Sequence, residues 1–281
     1  MDIVNHYSIG VGISIDGLKH QHDKYRVYPS GRGSFDHVVA NIKKFQNKAI
    51  STTPKLGVIS VITDYSSAAE TYKYLTEKLN IDRMIFLFPD KNHDERNLSE
   101  KKSINIGKAL TECFELWAKN TNVHFKNVTD YIETFQKKDY INTVDSEYIR
   151  KDLSTAIFFR LIIVRSDGEL NYYDRSLPIG SKKYLHDNKK NILNINLLEY
   201  LTSEIFHKIH KINKNIPSKC LECRYVKFCS GGDLEHRFSE NNGFDNPSVY
   251  CEDLRFFFKY IENKLQKHGL SQQHIDEKLL N

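Results

Sequence analysis

The chain has 281 residues, of which 40% are hydrophobic and 27% are charged, a composition typical of a globular protein and not of a disordered tail. Lys and Arg number 41 against 36 Asp and Glu, and a formal charge of +5 over this length does not predict a nucleic-acid-binding protein. No apolar run approaches the roughly 18 residues of a membrane span, and the first residues lack the pattern of a signal peptide. We therefore expect a cytoplasmic protein that binds neither nucleic acid nor membrane.

Strand-like and helical segments alternate along the first 95 residues. The predicted strands are 11–15, 56–62 and 84–88, and the predicted helices are 35–46 and 66–79. This alternation predicts an α/β fold whose parallel strands are joined by helical crossovers. In such folds the functional residues lie on the loops after the carboxyl ends of the strands, and here those loops begin at Asp16, Thr63 and Pro89.

The pattern changes beyond residue 95. Helical periodicity predicts a helical connector over 96–155, and two strand-like runs around Asp167-Gly168 then predict a β-hairpin, since the glycine supplies the positive φ of a tight turn. A helix at about 196–211, a cysteine-rich stretch and a last helix starting near Pro247 follow. The predicted domains are thus 1–95, 96–155 and 156–281.

Four cysteines near the C-terminal end have the spacing of a metal site. Cys220, Cys223, Cys229 and Cys251 form a C-x2-C-x5-C-x21-C pattern, and the cytosol keeps such thiols reduced. Three cysteines on one loop and a fourth returning from a helix favour an iron-sulfur cluster, with a zinc site or free thiols as alternatives. Cys113, on the apolar face of a predicted helix, is expected to be a small buried hydrophobe.

Two stretches of the sequence resemble one known family. The C-terminal one is Cys220-Leu-Glu-Cys-Arg-Tyr-Val-Lys-Phe-Cys229-Ser-Gly-Gly, continued through His236-Arg237 to Cys251. It resembles the SPASM domain of radical S-adenosylmethionine peptide maturases, in particular those that install cyclophane cross-links on ribosomal precursor peptides. The N-terminal stretch resembles the middle strand and following loop of the barrel of that family, and it comprises Gly12-Ile-Ser14-Ile-Asp16-Gly17, His22-Asp23, Arg26 and Gly31-Arg-Gly33-Ser-Phe35.

The resemblance implies a partial radical S-adenosylmethionine (β/α) barrel, comprising strands 4 to 6 of the family over 1–95, a helical connector, and a SPASM-like domain. It also implies an N-terminally truncated maturase, because the C-x3-C-x2-C motif that the family uses to bind its S-adenosylmethionine cluster does not occur in the sequence. Asp233 stands where a ligand of a second auxiliary cluster is expected, so we predict one auxiliary [4Fe-4S] cluster. The implied partners are a ribosomal precursor peptide and an N-terminal fragment carrying the missing half of the barrel.

The resemblance also implies roles for individual residues. Ser14 and Asp16 take positions that face S-adenosylmethionine in the intact parent enzyme, although a polar pair that caps the loop is the alternative. Arg26 is a candidate member of the same cofactor-binding set, where it could bind the substrate carboxylate through two hydrogen bonds; the alternative is a solvated arginine. Asp174 is a candidate proton acceptor or a simple turn residue. His236 and Arg237 are expected to form an exposed pair on a turn, with contact to peptide or cluster as the alternative.

A second class of function stays open at this point. The chain would then be a non-catalytic iron-sulfur or zinc module that recognises the precursor peptide, or one half of a split maturase.

Overall fold

The computed structural model describes residues 1–95, 104–136, 162–171 and 190–280. Contacts within the chain divide it into two compact units. The first unit comprises Met1–Pro89, Ser103–Gln136 and Asp253–Ile275, and the second comprises Asp90–Lys102, Lys137–Glu252 and Asp276–Asn281.

The first unit is built around a four-stranded parallel sheet. Its strands are β1 (Gly12–Ser14), β2 (Gly57–Val61), β3 (Arg83–Leu87) and β4 (His124–Phe125), and they lie side by side in chain order. Gly12 is in register with Gly57, which in turn is in register with Arg83 of the third strand. The α/β architecture with parallel strands that the sequence predicted is therefore confirmed at this level.

Helices precede, connect and follow these strands. They are α1 (Asp2–His6), α2 (Lys19–Tyr25), α3 (Phe35–Lys48), α4 (Ala68–Lys73), α5 (Asn105–Trp117) and α6 (Lys126–Gln136). A 3-10 turn at Tyr65–Ser67 precedes α4, and a π-helical turn at Tyr74–Lys78 follows it. Residues 104–136, within the predicted helical connector, thus contribute two helices and also the strand β4.

Buried aromatic rings hold β4 to the rest of the sheet. Phe125 is fully buried, and its ring meets Phe86 of β3 and Tyr72 of α4 edge to face, at centroid distances of 5.1 and 5.4 Å. Pairs of this geometry add to the hydrophobic gain of burying the rings. The backbone of the short strand is therefore supported by packing as well as by the ladder.

The second unit contains a small hairpin and several helices. The hairpin pairs β5 (Ile163–Val164) with β6 (Leu170–Asn171), antiparallel, around Gly168 with φ +83°. The helices are α7 (Leu197–Leu201), α8 (Glu204–Lys214) and α9 (Val226–Cys229), with 3-10 turns at Ser218–Cys220 and Glu235–Arg237. The predicted hairpin is present over the residues described. A buried cluster forms the core here and consists of Leu170, Tyr200, Leu234, Phe238 and Phe244.

The last two helices are α10 (Cys251–Lys267) and α11 (Gln272–Leu280). The helix α10 starts at Cys251, four residues later than Pro247, because Ser248 is held in a turn where its hydroxyl accepts from the Tyr250 amide at 3.1 Å. The single helix predicted at 196–211 is two helices, separated at Thr202 and Ser203. Among the helices described, none combines the length and hydropathy that a membrane crossing requires.

Candidate functional site

The loop after β1 is organised around the carboxylate of Asp16. The side chain is buried, its Oδ1 accepts from the Val61 amide at 2.9 Å, and its Oδ2 pairs with Nε of Arg26. The carboxylate therefore joins the ends of β1 and β2 and fixes an arginine that follows α2. Nε of Arg26 is paired with Asp16 while 40% of the Arg26 side chain is exposed, and its role in binding a carboxylate stays a prediction.

A fully buried histidine supports the same loop. His22 Nδ1 accepts from the Asp16 amide at 3.1 Å, and its Nε2 lies 3.0 Å from the Ser34 hydroxyl, which donates to the Arg26 carbonyl at 2.8 Å. Because the backbone amide can only donate, Nδ1 must be unprotonated, and the neutral ring carries its hydrogen on Nε2. Burial lowers the pKa of His22. The carboxylates of Asp16 and Asp23 raise that pKa, and the guanidinium of Arg26 lowers it further.

We expect stability to fall as the pH is lowered from about 6.5, the ordinary pKa of histidine, because the unfolded chain then gains a proton on this residue that the folded chain resists. The measurement is the urea midpoint at pH 7.5 and 5.5 for the wild-type chain and His22→Gln, whose amide oxygen replaces the acceptor. The variant should lose less stability between the two pH values. An equal loss in both proteins would show that His22 is not responsible.

Residues of α2, β2, α4 and the loops after β1 and β2 border a small depression at the carboxyl ends of the first two strands. Its lining consists of Asp16, Gly17, Gln21, Val61, Ile62, Thr63, Asp64, Ser67 and Thr71. The Gly17 amide donates to the Ser60 hydroxyl at 3.2 Å, and the Gln21 amide group donates to Ser67. Hydrogen bonds from Ser66 hold the pKa of Asp64 below its ordinary value, so its carboxylate is charged at neutral pH. Ser14 is exposed at the end of β1 and, like Arg26, lies outside this lining.

The four spaced cysteines come together in the second unit. Cys220 ends a 3-10 turn that begins after Pro217, Cys229 ends α9, and Cys251 begins α10. The Cys223 amide donates to the Cys220 carbonyl at 3.0 Å, which closes the tight turn between the first two. None of the five cysteines, all of which are described, is in a disulfide.

The thiols influence each other's ionisation, which shows that they share one location. Burial raises the pKa of Cys229 to about 12, and Cys251, Cys220 and Cys223 raise it too, while a hydrogen bond from the Gly231 amide opposes them. Burial and the neighbouring Cys223 raise the pKa of Cys220, and Arg237 lowers it. The thiols of Cys220 and Cys229 are thus protonated at neutral pH, and binding a metal would release these protons.

Contacts with Pro217 and Ser248 leave no room for a side chain at the two glycines that follow Cys229 and Ser230. Gly231 has φ +89°, and a Cβ at this position would lie 2.5 Å from Pro217 Cδ. Gly232, with φ +84°, would place a Cβ 2.6 Å from that of Ser248, whose amide donates to the Gly231 carbonyl at 2.8 Å. Three thiols on this close-packed loop and a fourth at the start of α10 fit the four-thiolate donor set of an iron-sulfur cluster.

The expected exposure of His236 and Arg237 is wrong. Both are buried, with 4% and 2% of their surfaces exposed. The His236 ring packs edge-on against Tyr250 at 4.8 Å, and the Arg237 guanidinium donates to backbone carbonyls. Spacing along the chain does not reveal such partners. It likewise does not reveal Ser60, Gln21 or Ser67, which are ordinary polar residues within a strand or helical segments.

Cys113 is fully buried in α5, as predicted, and burial raises the pKa of its thiol far above the ordinary value. Asp174 lies outside the described residues, so its role as proton acceptor stays a prediction. The assignments of Ser14, Asp16 and Arg26 to S-adenosylmethionine binding also stay predictions.

Comparison with known proteins finds relatives of low sequence identity. No protein-family model matches the chain. A cysteine-type anaerobic sulfatase-maturating enzyme of Clostridium novyi is 23% identical over 268 residues, which cover 91% of this chain and 65% of the enzyme. The enzyme of the same name from Clostridium perfringens is 22% identical, and the match covers 91% of this chain and 66% of that enzyme. An uncharacterized protein of Synechocystis is 25% identical over 257 residues, with 88% and 61% covered.

Solved structures agree in fold. The structure of His6-tagged anSMEcpe with bound AdoMet superposes with a TM-score of 0.69 at 19% identity, covering 99% of this chain and 71% of that one. Native anSMEcpe with bound AdoMet and the Cp18Cys peptide gives a TM-score of 0.67 at 19% identity, with 95% and 71% covered.

The chain spans about two thirds of the length of the curated relatives it matches. The cyclophane-forming type and the N-terminal truncation stay predictions. The chain is homologous to the cysteine-type anaerobic sulfatase-maturating enzymes over nine tenths of its own length, and it has the fold of their solved structures.

Proposed function

We propose that this chain belongs to a radical S-adenosylmethionine enzyme that modifies a ribosomal precursor peptide, and that it holds one auxiliary [4Fe-4S] cluster. The observation that carries the proposal is that the similarity to these relatives covers both units of the chain, and so includes both the parallel sheet and the cysteine site. The bound AdoMet and peptide in the structures of anSMEcpe support a cofactor and a substrate of the same classes here.

The non-catalytic module has less support. The sulfatase-maturating relatives are named as enzymes, and their similarity to this chain is not confined to the cysteine-rich segment. A split enzyme would also need a separate N-terminal fragment, for which the comparisons offer no support. We therefore propose that the chain is part of a peptide-modifying enzyme.

The residues of this chain would act in two places. Cys220, Cys223, Cys229 and Cys251 would bind the cluster, which supplies one-electron redox chemistry when present. Cys220 is buried and the other three cysteines are half-buried, which limits access of water to the sulfurs. At the other place, the depression beside Asp16 is proposed to receive part of S-adenosylmethionine, with Ser14 at the strand end.

Hydrogen bonds keep the Asp16 carboxylate in place from two sides. One comes from the backbone of β2 and the other from Arg26. Arg26 would then act on the cofactor through Asp16, by fixing its orientation. Asp174 is proposed to accept the proton that oxidation of a substrate radical releases.

Anaerobic reconstitution tests the cluster assignment. We expect the wild-type chain to bind about four iron and four sulfide, because one complete four-thiolate set is present. Cys223→Ala and Cys229→Ala should abolish this loading, since an iron would lose its protein ligand. Cys113→Ala is the matched control, because that thiol is buried in the other unit, and it should load like the wild type.

Iron and sulfide assays and the visible charge-transfer absorption provide the readout. Tightly bound zinc in protein produced with ample iron, without that absorption, would contradict the cluster and favour a zinc site.

A further inference from the structure

Three side chains of metal-binding types meet in the second unit, and none of them is a cysteine. They are Asp90, which follows Pro89 on the loop after β3, and the neighbours Glu235 and His236 of the 3-10 turn Glu235–Arg237. One ligand atom from each side chain lies within 4.8 Å of the other two. Two segments far apart in the sequence thus bring one imidazole and two carboxylates together.

Two of these three side chains are held in place by burial. Glu235 is 2% exposed and His236 is 4% exposed. The His236 carbonyl accepts from the Val249 amide at 2.9 Å, and the His236 ring packs edge-on against Tyr250. Both residues have other contacts in the fold, while Oε2 of Glu235 and Nε2 of His236 take part in no hydrogen bond. The turn therefore fixes two side chains before any ion is bound.

The loop that carries Asp90 is attached to the residues that follow this turn. The His93 amide donates to the Phe238 carbonyl at 2.9 Å, and the Glu240 amide donates to Oδ2 of Asp94 at 2.9 Å. Asp90 itself is exposed, so its side chain is free to turn towards an ion. Two ligands that each lie about 2.1 Å from one ion are at most about 4.2 Å apart, so an adjustment of about 1 Å brings the three together.

We propose that Asp90, Glu235 and His236 bind a divalent first-row metal ion. Carboxylates suit Mn²⁺ and imidazole suits Zn²⁺ and Fe²⁺, so the mixed donor set favours an ion of this class. Three protein ligands leave coordination positions for water or for a further ligand. The bound ion ties the loop after β3 to the 3-10 turn. This inference goes beyond the proposed function and does not depend on the cluster.

The test is a titration of the reconstituted full chain with Mn²⁺, after passage over a chelating resin. Electron paramagnetic resonance measures the free ion, whose six-line signal is lost on binding. The wild-type chain should bind one Mn²⁺. Asp90→Asn removes a charged ligand at an exposed position, where the fold tolerates it, and should weaken binding at least about tenfold, since even loss of a side chain that only supports a ligand costs about 10–100-fold.

Asp94→Asn is the matched control. It removes the same charge from the same loop at another exposed position, and the new amide oxygen can still accept from the Glu240 amide. It should bind Mn²⁺ like the wild type. A second readout is the urea midpoint, which Mn²⁺ should raise for the wild type and for Asp94→Asn, but far less for Asp90→Asn, because an ion bound only by the folded chain stabilises it.

The inference is overturned by a wild-type chain that binds no Mn²⁺, or by equal weakening in Asp90→Asn and Asp94→Asn, which would mean that the charge of the loop attracts the ion. His236→Gln should weaken binding as Asp90→Asn does. Should that buried substitution prevent folding, the two aspartate variants still decide. The iron content of the same samples separates the two proposals, because a chain that loads iron but not Mn²⁺ loses this site alone.

Discussion

We expect the reconstituted 281-residue polypeptide to produce no deoxyadenosine from S-adenosylmethionine under dithionite. Reductive cleavage requires a cluster iron with one position that the protein leaves open for the amine and carboxylate of methionine. Here four thiols meet at one site and influence one another's pKa, so each iron of a [4Fe-4S] cluster would already have its protein ligand. The expected yield is that of the chain before reconstitution, which serves as the cluster-free control.

The informative comparison adds a separate polypeptide that carries a C-x3-C-x2-C segment. Deoxyadenosine that forms only in the mixture would show that this chain completes an active enzyme. Substantial deoxyadenosine from the chain alone would contradict the saturated cluster, and it would mean that one of the four thiols leaves its iron open.

Gly231→Ala should disable the cysteine site without touching a sulfur atom. The added methyl group would lie 2.5 Å from Pro217 Cδ, and the backbone has φ +89°, which side chains other than that of glycine rarely adopt. Strain and overpacking of this kind each cost about 1–3 kcal/mol. Because the cost falls on the loop that carries Cys229, we expect iron binding to weaken at least tenfold, measured as iron per chain over a titration of iron and sulfide.

Gly243→Ala is the matched control for this variant. Gly243 also has positive φ, +56°, and lies in the same unit, but no atom lies within 4 Å of the position of its added methyl. It therefore carries the backbone strain without the collision, and we expect it to load iron. Equal loading by both variants would show that the Pro217 contact does not shape the site.

The sequence is most informative where the determining interactions are local and repeated. The strands β2 and β3 were predictable because Val58, Met84 and Phe86 alternate with less buried neighbours inside apolar runs. The four cysteines were predictable as one site because three lie on one short loop. The strand β4 has only two residues, too few for any periodicity, and its place depends on the packing of Phe125 against distant rings.

Burial of charged side chains was the least predictable feature. Sequence rules assign Arg237 to the surface because an arginine without an acceptor cannot be buried at a small cost. The carbonyls that receive its hydrogen bonds belong to Asn215 and Phe244, at separations of 22 and 7 residues. The sequence likewise did not predict that Asp16 and Arg26 pair with each other, as they do in the folded chain.

The hydrogen bond from the Asp16 amide to His22 makes the exchange rate of this amide hydrogen a measure of how often the loop after β1 opens. An amide hydrogen that is bonded inside the protein exchanges with deuterated water only when that bond opens. At this position the acceptor belongs to a side chain of α2 and not to the sheet ladder, so exchange follows separation of the loop from the helix and does not require the strands to part. Comparison of this exchange rate with that of the Ile59 amide, which lies within β2, would separate local opening beside the depression from unfolding of the sheet.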